Sequence, residues 1–317
     1  MFLCVSPNPA VDKRLRLDSL VPGRIHRIHK AEAHAGGKAA HVAMVLKALG
    51  HDVSWLGLIG GEVGKSVLSG MQRLGIDARG ASVAQNTREN LELVEDDGRV
   101  TEFLEPGPSV SSAEQRQFEA ECRSAFSHGG EQLNVIFSGS LPQGVPPDLY
   151  ARLIAFAHEF RCRAFLDTSG EPLRLGLTAR PFFAKPNREE AEHLLDMTID
   201  SLGAASSAVR RILDLGVGSA ALSLGKDGLL YGSSDRTELF FAPALKLPVK
   251  SAVGCGDSAL AGFASSLAGT DAARDVLRLA AACAAANCIA DAPGAVAHTD
   301  VINFQKQIEV QLLSSLA

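Results

Sequence analysis

Val253-Gly254-Cys255-Gly256-Asp257-Ser258 follows an extended stretch, Leu245–Val249, and opens an apolar helical pattern over Asp257–Leu267. Strand, glycine turn and helix is the unit from which parallel α/β sheets are built. Glycines at 254 and 256 let successive backbone N–H groups converge, and the helix N-terminus adds the positive end of its dipole. Such a nest suits an anion, above all one whose charge builds in a transition state. Asp257 at the helix start can accept a proton from an incoming hydroxyl. It can equally be a helix cap after a glycine turn, and the turn by itself does not decide between the two.

Outward from that turn the same rhythm fills most of the chain. Short apolar runs predict strands at Phe2–Val5, Val53–Ile59, Asn134–Phe137, Ala164–Leu166, Phe182–Ala184 and Ala220–Ser223. Between them, helical patterns cover Lys38–Leu49, Gly64–Leu74, Ala113–Phe126, Pro147–Phe160, Arg188–Leu195 and Ser201–Leu215, with Ala272–Ala290 and Val301–Leu313 after the turn. The strand runs are continuously apolar rather than alternating, as buried parallel strands are. An α/β fold with helices on both faces of a mostly parallel sheet follows. Two regions break the rhythm. Residues 11–34 alternate basic and apolar side chains, and residues 87–105 read as a hairpin around Asp96-Asp97-Gly98. Together they are expected to form a small β lid, and because so small a sheet is marginal alone, a second copy of the chain is a candidate partner for it.

The 317 residues are 46% apolar and 21% charged, which excludes wholesale disorder. A net charge of −5 argues against nucleic acid or an anionic membrane as the main partner. The first apolar run is too short for a signal peptide, no apolar stretch is long and unbroken enough to span a bilayer, and the six scattered cysteines contain no CxxC pair. A reduced, cytoplasmic setting is the expectation.

Other glycine and basic motifs carry different weight. Gly64-Lys65-Ser66 ends like a phosphate loop, but Ile59 stands where the first glycine is required. GxGxxA at 216–221 and at 254–259 does not follow the first strand of a βαβ unit, so a nicotinamide-dependent dehydrogenase is a poor reading. His26 and His29 could suggest a metal, but no further ligand cluster supports it, and they read as surface residues. Ala35-Gly36-Gly37-Lys38 puts a lysine in the first turn of a helix, where the dipole disfavours it unless a negative ligand is close. Lys185-Pro186-Asn187-Arg188-Glu189-Glu190 follows a strand; Asn187 and Glu190 suit a capping box, or a water-mediated metal near phosphates.

Taken together these residues resemble the ribokinase-type, or PfkB, family of carbohydrate kinases. Gly36-Gly37-Lys38, Lys185-Pro186-Asn187 with Glu190, Ser223-Leu224-Gly225 with Gly228, and Gly254-x-Gly256-Asp257-Ser258 occur in the family's order and at its distances. Ser6-Pro7-Asn8-Pro9-Ala10-Val11-Asp12, Thr87-Arg88-x-Asn90, Ser138-Gly139-Ser140-Leu141-Pro142 and Leu166-Asp167-Thr168-Ser169-Gly170-Glu171 resemble the branch with 1-phosphofructokinase, tagatose-6-phosphate kinase and the minor 6-phosphofructokinase. The resemblance implies one three-layer α/β/α ribokinase-like domain over residues 1–317 with a β lid. It further implies ATP and Mg²⁺ as co-substrates and transfer of the γ-phosphoryl group to a sugar or sugar-phosphate hydroxyl.

On that resemblance Asp257 is the base, and the amides of Gly254, Cys255, Gly256 and Asp257 form the anion hole. Asp12, Gly36 and Gly37 face sugar hydroxyls, Lys38, Arg88 and Ser138 face a phosphate already on the substrate, and Asn90 is a further substrate-binding residue. Lys185, Asn187, Ser223, Gly225, Gly228 and Asn287 belong to the nucleotide side, with Asn287 beside the adenine; Asn187 and Glu190 reach Mg²⁺ through water. The chain departs from the pattern at His41, where the family has a sugar-binding Asn, at Glu92, often Lys, and at Leu104, often Asn. His41 is expected to offer a sugar one hydrogen bond from a bulkier ring, and Glu92, if it points inward, to repel a substrate phosphate. Cys255 at a helix N-terminus can be a reactive thiol of lowered pKa or a buried, inert small residue. A kinase of unphosphorylated sugars or nucleosides, and a nucleotide-binding protein without turnover, remain alternatives.

Overall fold

The structure, a computed structural model, describes residues 1–269 and 272–313. In chain order the strands are β1 (Phe2–Ser6), β2 (Ala10–Leu17), β3 (Lys30–Gly36), β4 (Val53–Ile59), β5 (Asp77–Ser82), β6 (Arg88–Glu95) and β7 (Val100–Phe103). There follow β8 (Asn134–Ser138), β9 (Arg163–Asp167), β10 (Phe183–Ala184), β11 (Ser219–Ser223), β12 (Leu229–Ser233), β13 (Leu239–Ala242) and β14 (Gln311–Leu313). The helices are α1 (Lys38–Ala48), α2 (Gly61–Arg73), α3 (Ser112–Gly129), α4 (Leu149–Glu159) and α5 (Gly170–Thr178). The rest are α6 (Arg188–Leu195), α7 (Leu202–Asp214), α8 (Cys255–Leu267), α9 (Ala273–Ile289) and α10 (His298–Gln305).

The main sheet has ten strands in the order β14-β13-β12-β11-β10-β9-β8-β1-β4-β5. From β5 to β11 every pairing is parallel, and β12, β13 and β14 extend it antiparallel. Helices cover both faces, so each strand feeds two cores. Phe2 and Cys4 of β1 pack with α1, α2, α8 and α9, whereas Leu3 and Val5 pack with α3, α4 and α5. That two-sided burial is why β1 is apolar without alternation. Among the described residues no helix is long and apolar enough to cross a membrane.

A second sheet stands apart, in the order β3-β2-β6-β7. It contains both regions expected to break the rhythm: β2 and β3 from the first, β6 and β7 from the hairpin, which turns at Gly98 with φ 87°. β2 runs parallel to β6, with Asp12 opposite Asn90 and Arg14 opposite Glu92. Because side chains alternate along a strand, Ala10, Asp12 and Arg14 share one face with Arg88, Asn90 and Glu92.

Two expectations fail, and one helix goes unpredicted. The helix expected over Val301–Leu313 ends at Gln305, and Gln311–Leu313 becomes β14, because the edge of β13 accepts a further strand. Leu245–Val249 joins no ladder; Leu245 and Leu247 pack on the core as irregular chain. Gly170–Thr178, read only as a motif, is helix α5, its Pro172 lying in the first turn where a missing N–H costs nothing. The strands β5, β12 and β13 also went unpredicted.

Candidate active site

The chain order in the main sheet reverses beside β1, whose neighbours are β4 and β8. Ligand crevices of open α/β sheets form at the carboxyl ends of strands around such a reversal. There β1 leads into Asn8, β8 ends at Ser138, β9 at Asp167, β10 runs into Lys185 and β11 ends at Ser223. The helices α1 and α8 pack on each other nearby, and their N-terminal turns carry Lys38 and Asp257.

Asp257, His41 and Asp12 form one chain of hydrogen bonds. His41 Nδ1 lies 2.9 Å from Asp257 Oδ2, and His41 Nε2 lies 3.1 Å from Asp12 Oδ2. Asn90 Nδ2 donates to Asp12 Oδ1 at 2.8 Å, and the Gly37 N–H to Asp12 Oδ2 at 3.3 Å. Gly36 is obligatory here, since a Cβ on it would overlap the Asp12 carboxylate. His41 and Asp257 are buried and Asp12 is partly so, and burial by itself would lower the His41 pKa; the hydrogen bonds and charges of the two carboxylates outweigh it and raise it to about 10. Burial likewise pushes Asp12 up, but His41, Asn90 and Gly37 hold it below its ordinary value. This corrects the expectation that His41 hydrogen-bonds a sugar: both ring nitrogens are taken, leaving Asp257 Oδ1 for a ligand.

The anion turn is narrower than expected. Gly254 takes φ 79°, which a residue with a side chain rarely adopts, and a Cβ there would meet Pro293. Ala252 O accepts the Cys255 N–H at 3.2 Å, while the amides of Gly254, Gly256 and Asp257 have no partner among the described residues. A Cβ on Gly256 would lie 3.5 Å from Lys185 Nζ, so that ammonium flanks the turn. Lys185 Nζ is 3.5 Å and Lys38 Nζ 3.9 Å from Asp167 Oδ1, and Lys38 Nζ is also 3.9 Å from Glu190 Oε1. The charge of Asp167, with lesser help from Asp257 and Glu190, raises the Lys38 pKa against the burial that would lower it. Asp167 is a site residue that sequence reading missed, although a carboxylate ending a strand inside Leu166–Glu171 was the available signal.

The second sheet brings cations and their partners to the same crevice. Arg88 donates from Nη1 to Glu105 O at 2.9 Å and from Nη2 to Asn8 O at 3.0 Å, and its buried Nε has no partner among the described residues. Ser138 Oγ is buried and likewise without a hydrogen bond there. Glu92 does point inward, yet it carries its own counter-ion. Arg14 Nε donates to Glu92 Oε2 at 2.7 Å, Arg14 Nη2 lies 2.6 Å from the same oxygen, and Arg14 Nη1 donates to Asp291 O. Leu104 is 62% exposed, outside this cluster.

On the other side of the turn, Asn187 and Glu190 form the expected capping box of α6. Ser223 bridges to Asn187, and Gly225 and Gly228 bracket a single 3₁₀ turn just beyond. Asn287 is a correction. Its side chain is buried under the anion turn, donating to Val253 O at 2.7 Å and accepting from Ser258 Oγ at 3.1 Å and Gly294 N at 2.8 Å. With its amide spent on these bonds it offers nothing to an adenine. Of the two readings of Cys255, the thiol of lowered pKa fails: hydrogen bonding to Cys288, followed by burial, raises its pKa, while the same contact lowers that of Cys288. Away from the site, His29 stands with Asp18 and Asp96 in an exposed group that no sequence spacing betrays.

Comparison with known proteins agrees with this arrangement. Residues 8–298 match the pfkB family of carbohydrate kinases. The chain is 35% identical over 271 residues to the 1-phosphofructokinase of Xanthomonas campestris pv. campestris, covering 84% of this chain and 83% of that one. With the 1-phosphofructokinase of Escherichia coli strain K12 it shares 33% over 286 residues, 89% and 88% of the two chains. The fold is shared with phosphofructokinase-2 from Escherichia coli in complex with substrates and products, at TM-score 0.90 and 22% identity, covering 97% of this chain and 98% of that one. A sheet reversal lined by Asp257, Lys38 and Lys185, together with this agreement along nearly the whole sequence, makes the chain a sugar kinase belonging to the pfkB family of carbohydrate kinases.

Proposed function

We propose that this kinase transfers the γ-phosphoryl group of ATP to a hydroxyl of a ketohexose phosphate, with fructose 1-phosphate the leading substrate. The observation that carries this reading is the convergence of Asp257, the partnerless amides of Gly254, Gly256 and Asp257, and the ammonium of Lys185 at one helix N-terminus. Phosphoryl transfer asks mostly for positioning and charge neutralisation, which such a set supplies. Asp257 Oδ1 takes the proton of the attacking hydroxyl as its oxygen bonds to the γ-phosphorus and the bond from that phosphorus to the β–γ bridging oxygen breaks, releasing ADP. Gly254, Gly256 and Asp257 amides receive the charge on the migrating group, with Lys185 beside them. Asp12, held by His41 and Asn90, fixes sugar hydroxyls next to the Gly37 amide. Arg88, with Nε unspent, Lys38 and Ser138 meet the phosphate already on the sugar. Ser223, Gly225 and Gly228 border the nucleotide.

The residues present fit a magnesium ion. Asp167 Oδ1 is a buried acceptor without a hydrogen bond among the described residues, and Glu190 Oε1 is free of the capping box that occupies Oε2. Two carboxylate oxygens beside a triphosphate suit an ion that keeps most of its waters. Bound there, Mg²⁺ would neutralise phosphate charge, with Asn187 and Glu190 reached through water.

The second sheet serves as a lid over the sugar and as a dimer contact. In its favour, the face away from the site carries half-exposed Leu15, Leu91 and Leu93 and a 54% exposed Phe103. Initial rates with MgATP across fructose 1-phosphate, fructose 6-phosphate, tagatose 6-phosphate and the free sugars test the substrate class. Phosphorylated sugars are expected to dominate kcat/KM, fructose 1-phosphate first. Preference for a free sugar would instead favour the alternative suggested by the two carbonyls already on Arg88.

A further inference from the structure

We infer that Cys255 and Cys288 are a modification site, a dithiol that a hydroperoxide converts to a disulfide, and that this bond disables the anion turn. The two sulfurs lie 3.0 Å apart although 33 residues separate them in sequence. They are also the pair with access: Cys4, Cys122, Cys162 and Cys283 are buried, whereas Cys255 and Cys288 are half-buried. Cys255 is the first residue of α8 and Cys288 lies in the last turn of α9. Asn287, the neighbour of Cys288, already ties α9 to Val253, Ser258 and Gly294, so the sulfurs are held in register by the same packing that shapes the turn. A disulfide needs an S–S separation of about 2.05 Å, an approach of roughly 1 Å from the present contact.

The chemistry divides between the two sulfurs. Either sulfur can donate in the contact between them, and that contact lowers the pKa of Cys288 while it raises that of Cys255, which assigns the attacking role to Cys288; burial raises Cys283 to about 12 and Cys162 to about 11, leaving them inert. The Cys288 thiolate attacks one oxygen of the hydroperoxide, the O–O bond breaks, and the departing alkoxide or hydroxide takes up a proton. The Cys288 sulfenic acid is then attacked by the Cys255 sulfur: the S–S bond forms, the S–O bond breaks, and the hydroxide leaves as water with the Cys255 proton. Two thiols are oxidised and one peroxide is reduced to an alcohol (or water) plus water. Drawing Cys255 onto α9 moves the amides of Gly256 and Asp257 against Lys185, and displacements of that size cost about 100-fold in turnover where geometry is the catalyst. This last consequence rests on the anion-hole role proposed above; the bond itself does not.

The test treats the full chain with hydrogen peroxide and maps peptides without reduction. A peptide joining Cys255 to Cys288 is expected, with an approximately 100-fold fall in turnover that dithiothreitol reverses. Cys288→Ser is expected to keep the untreated turnover and to lack the reversible loss. The inference is overturned if no 255–288 peptide forms, if the linked enzyme stays fully active, or if Cys288→Ser shows the same dithiothreitol-reversible loss. Peptide mapping needs no substrate, so an untreated chain without sugar-kinase turnover would count against the proposed function while the linked peptide still decides the dithiol.

Discussion

His41 Nδ1 lies 2.9 Å from Asp257 Oδ2, and the opposite nitrogen of the same ring lies 3.1 Å from Asp12 Oδ2, so a single imidazole ties the proposed base to the proposed sugar-binding carboxylate. Two ionised carboxylates accept hydrogen bonds and donate none. The ring therefore carries both protons, and an imidazolium sits buried between two anions that compensate for its desolvation.

This arrangement makes stability depend on alkaline pH. Folded His41 keeps its proton up to about pH 10, whereas the unfolded ring releases it near 6.5. A raised native pKa gives a contribution that is complete below pH 6.5 and lost as pH climbs toward 10. Urea unfolding of the wild type is expected to show free energy falling across that window, and His41→Asn is expected to lack this part of the slope. Superimposable pH profiles for the two proteins would rule the imidazolium out.

Asp257→Asn keeps the size of the side chain and the helix start but removes the proton acceptor. Turnover is expected to drop by at least ~100-fold, the scale of a lost general base, while nucleotide binding measured by calorimetry changes little. An Asn variant turning over near the wild-type rate would show that the hydroxyl proton leaves by another route.

Arg88→Ala removes a guanidinium that Asn8 O and Glu105 O aim at the crevice. KM for a phosphorylated sugar is expected to rise about 10- to 100-fold, as for the loss of a hydrogen bond to a charged group, with the KM for ATP unchanged. Steady-state kinetics with each substrate varied in turn reads both values, and an unmoved sugar-phosphate KM would place the phosphate elsewhere.

The buried Arg14–Glu92 pair should behave as a unit. Either Arg14→Met or Glu92→Leu leaves one charge buried and alone, at a cost of about 3–5 kcal/mol. The double variant is expected to recover most of that loss in chemical denaturation. Additive losses in the double variant would show that the two side chains do not compensate each other.

Local signals in the sequence were enough for the parallel α/β framework, the hairpin at Asp96-Asp97-Gly98, the capping box at Asn187 and Glu190, and the glycine turn before Asp257. Each of these is decided by neighbours within a few residues: continuous apolar runs, turn residues and helix-start chemistry. Pairings across the fold were not legible in that way. His41 was readable only as a departure from a pattern, because its two partners lie 29 and 216 residues away. Arg14 met Glu92 through the register of β2 on β6, and Asp167 came between Lys38 and Lys185 because three strands end at one crevice. Asn287 turned toward the helix start and Cys288 reached Cys255 because α9 packs on α8, and Gln311–Leu313 became a strand because β13 left an edge open. Local chain chemistry determined which elements form and where an anion could be received; only tertiary packing decided which charges neutralise one another there, since Coulombic and hydrogen-bond partners are chosen by distance in space.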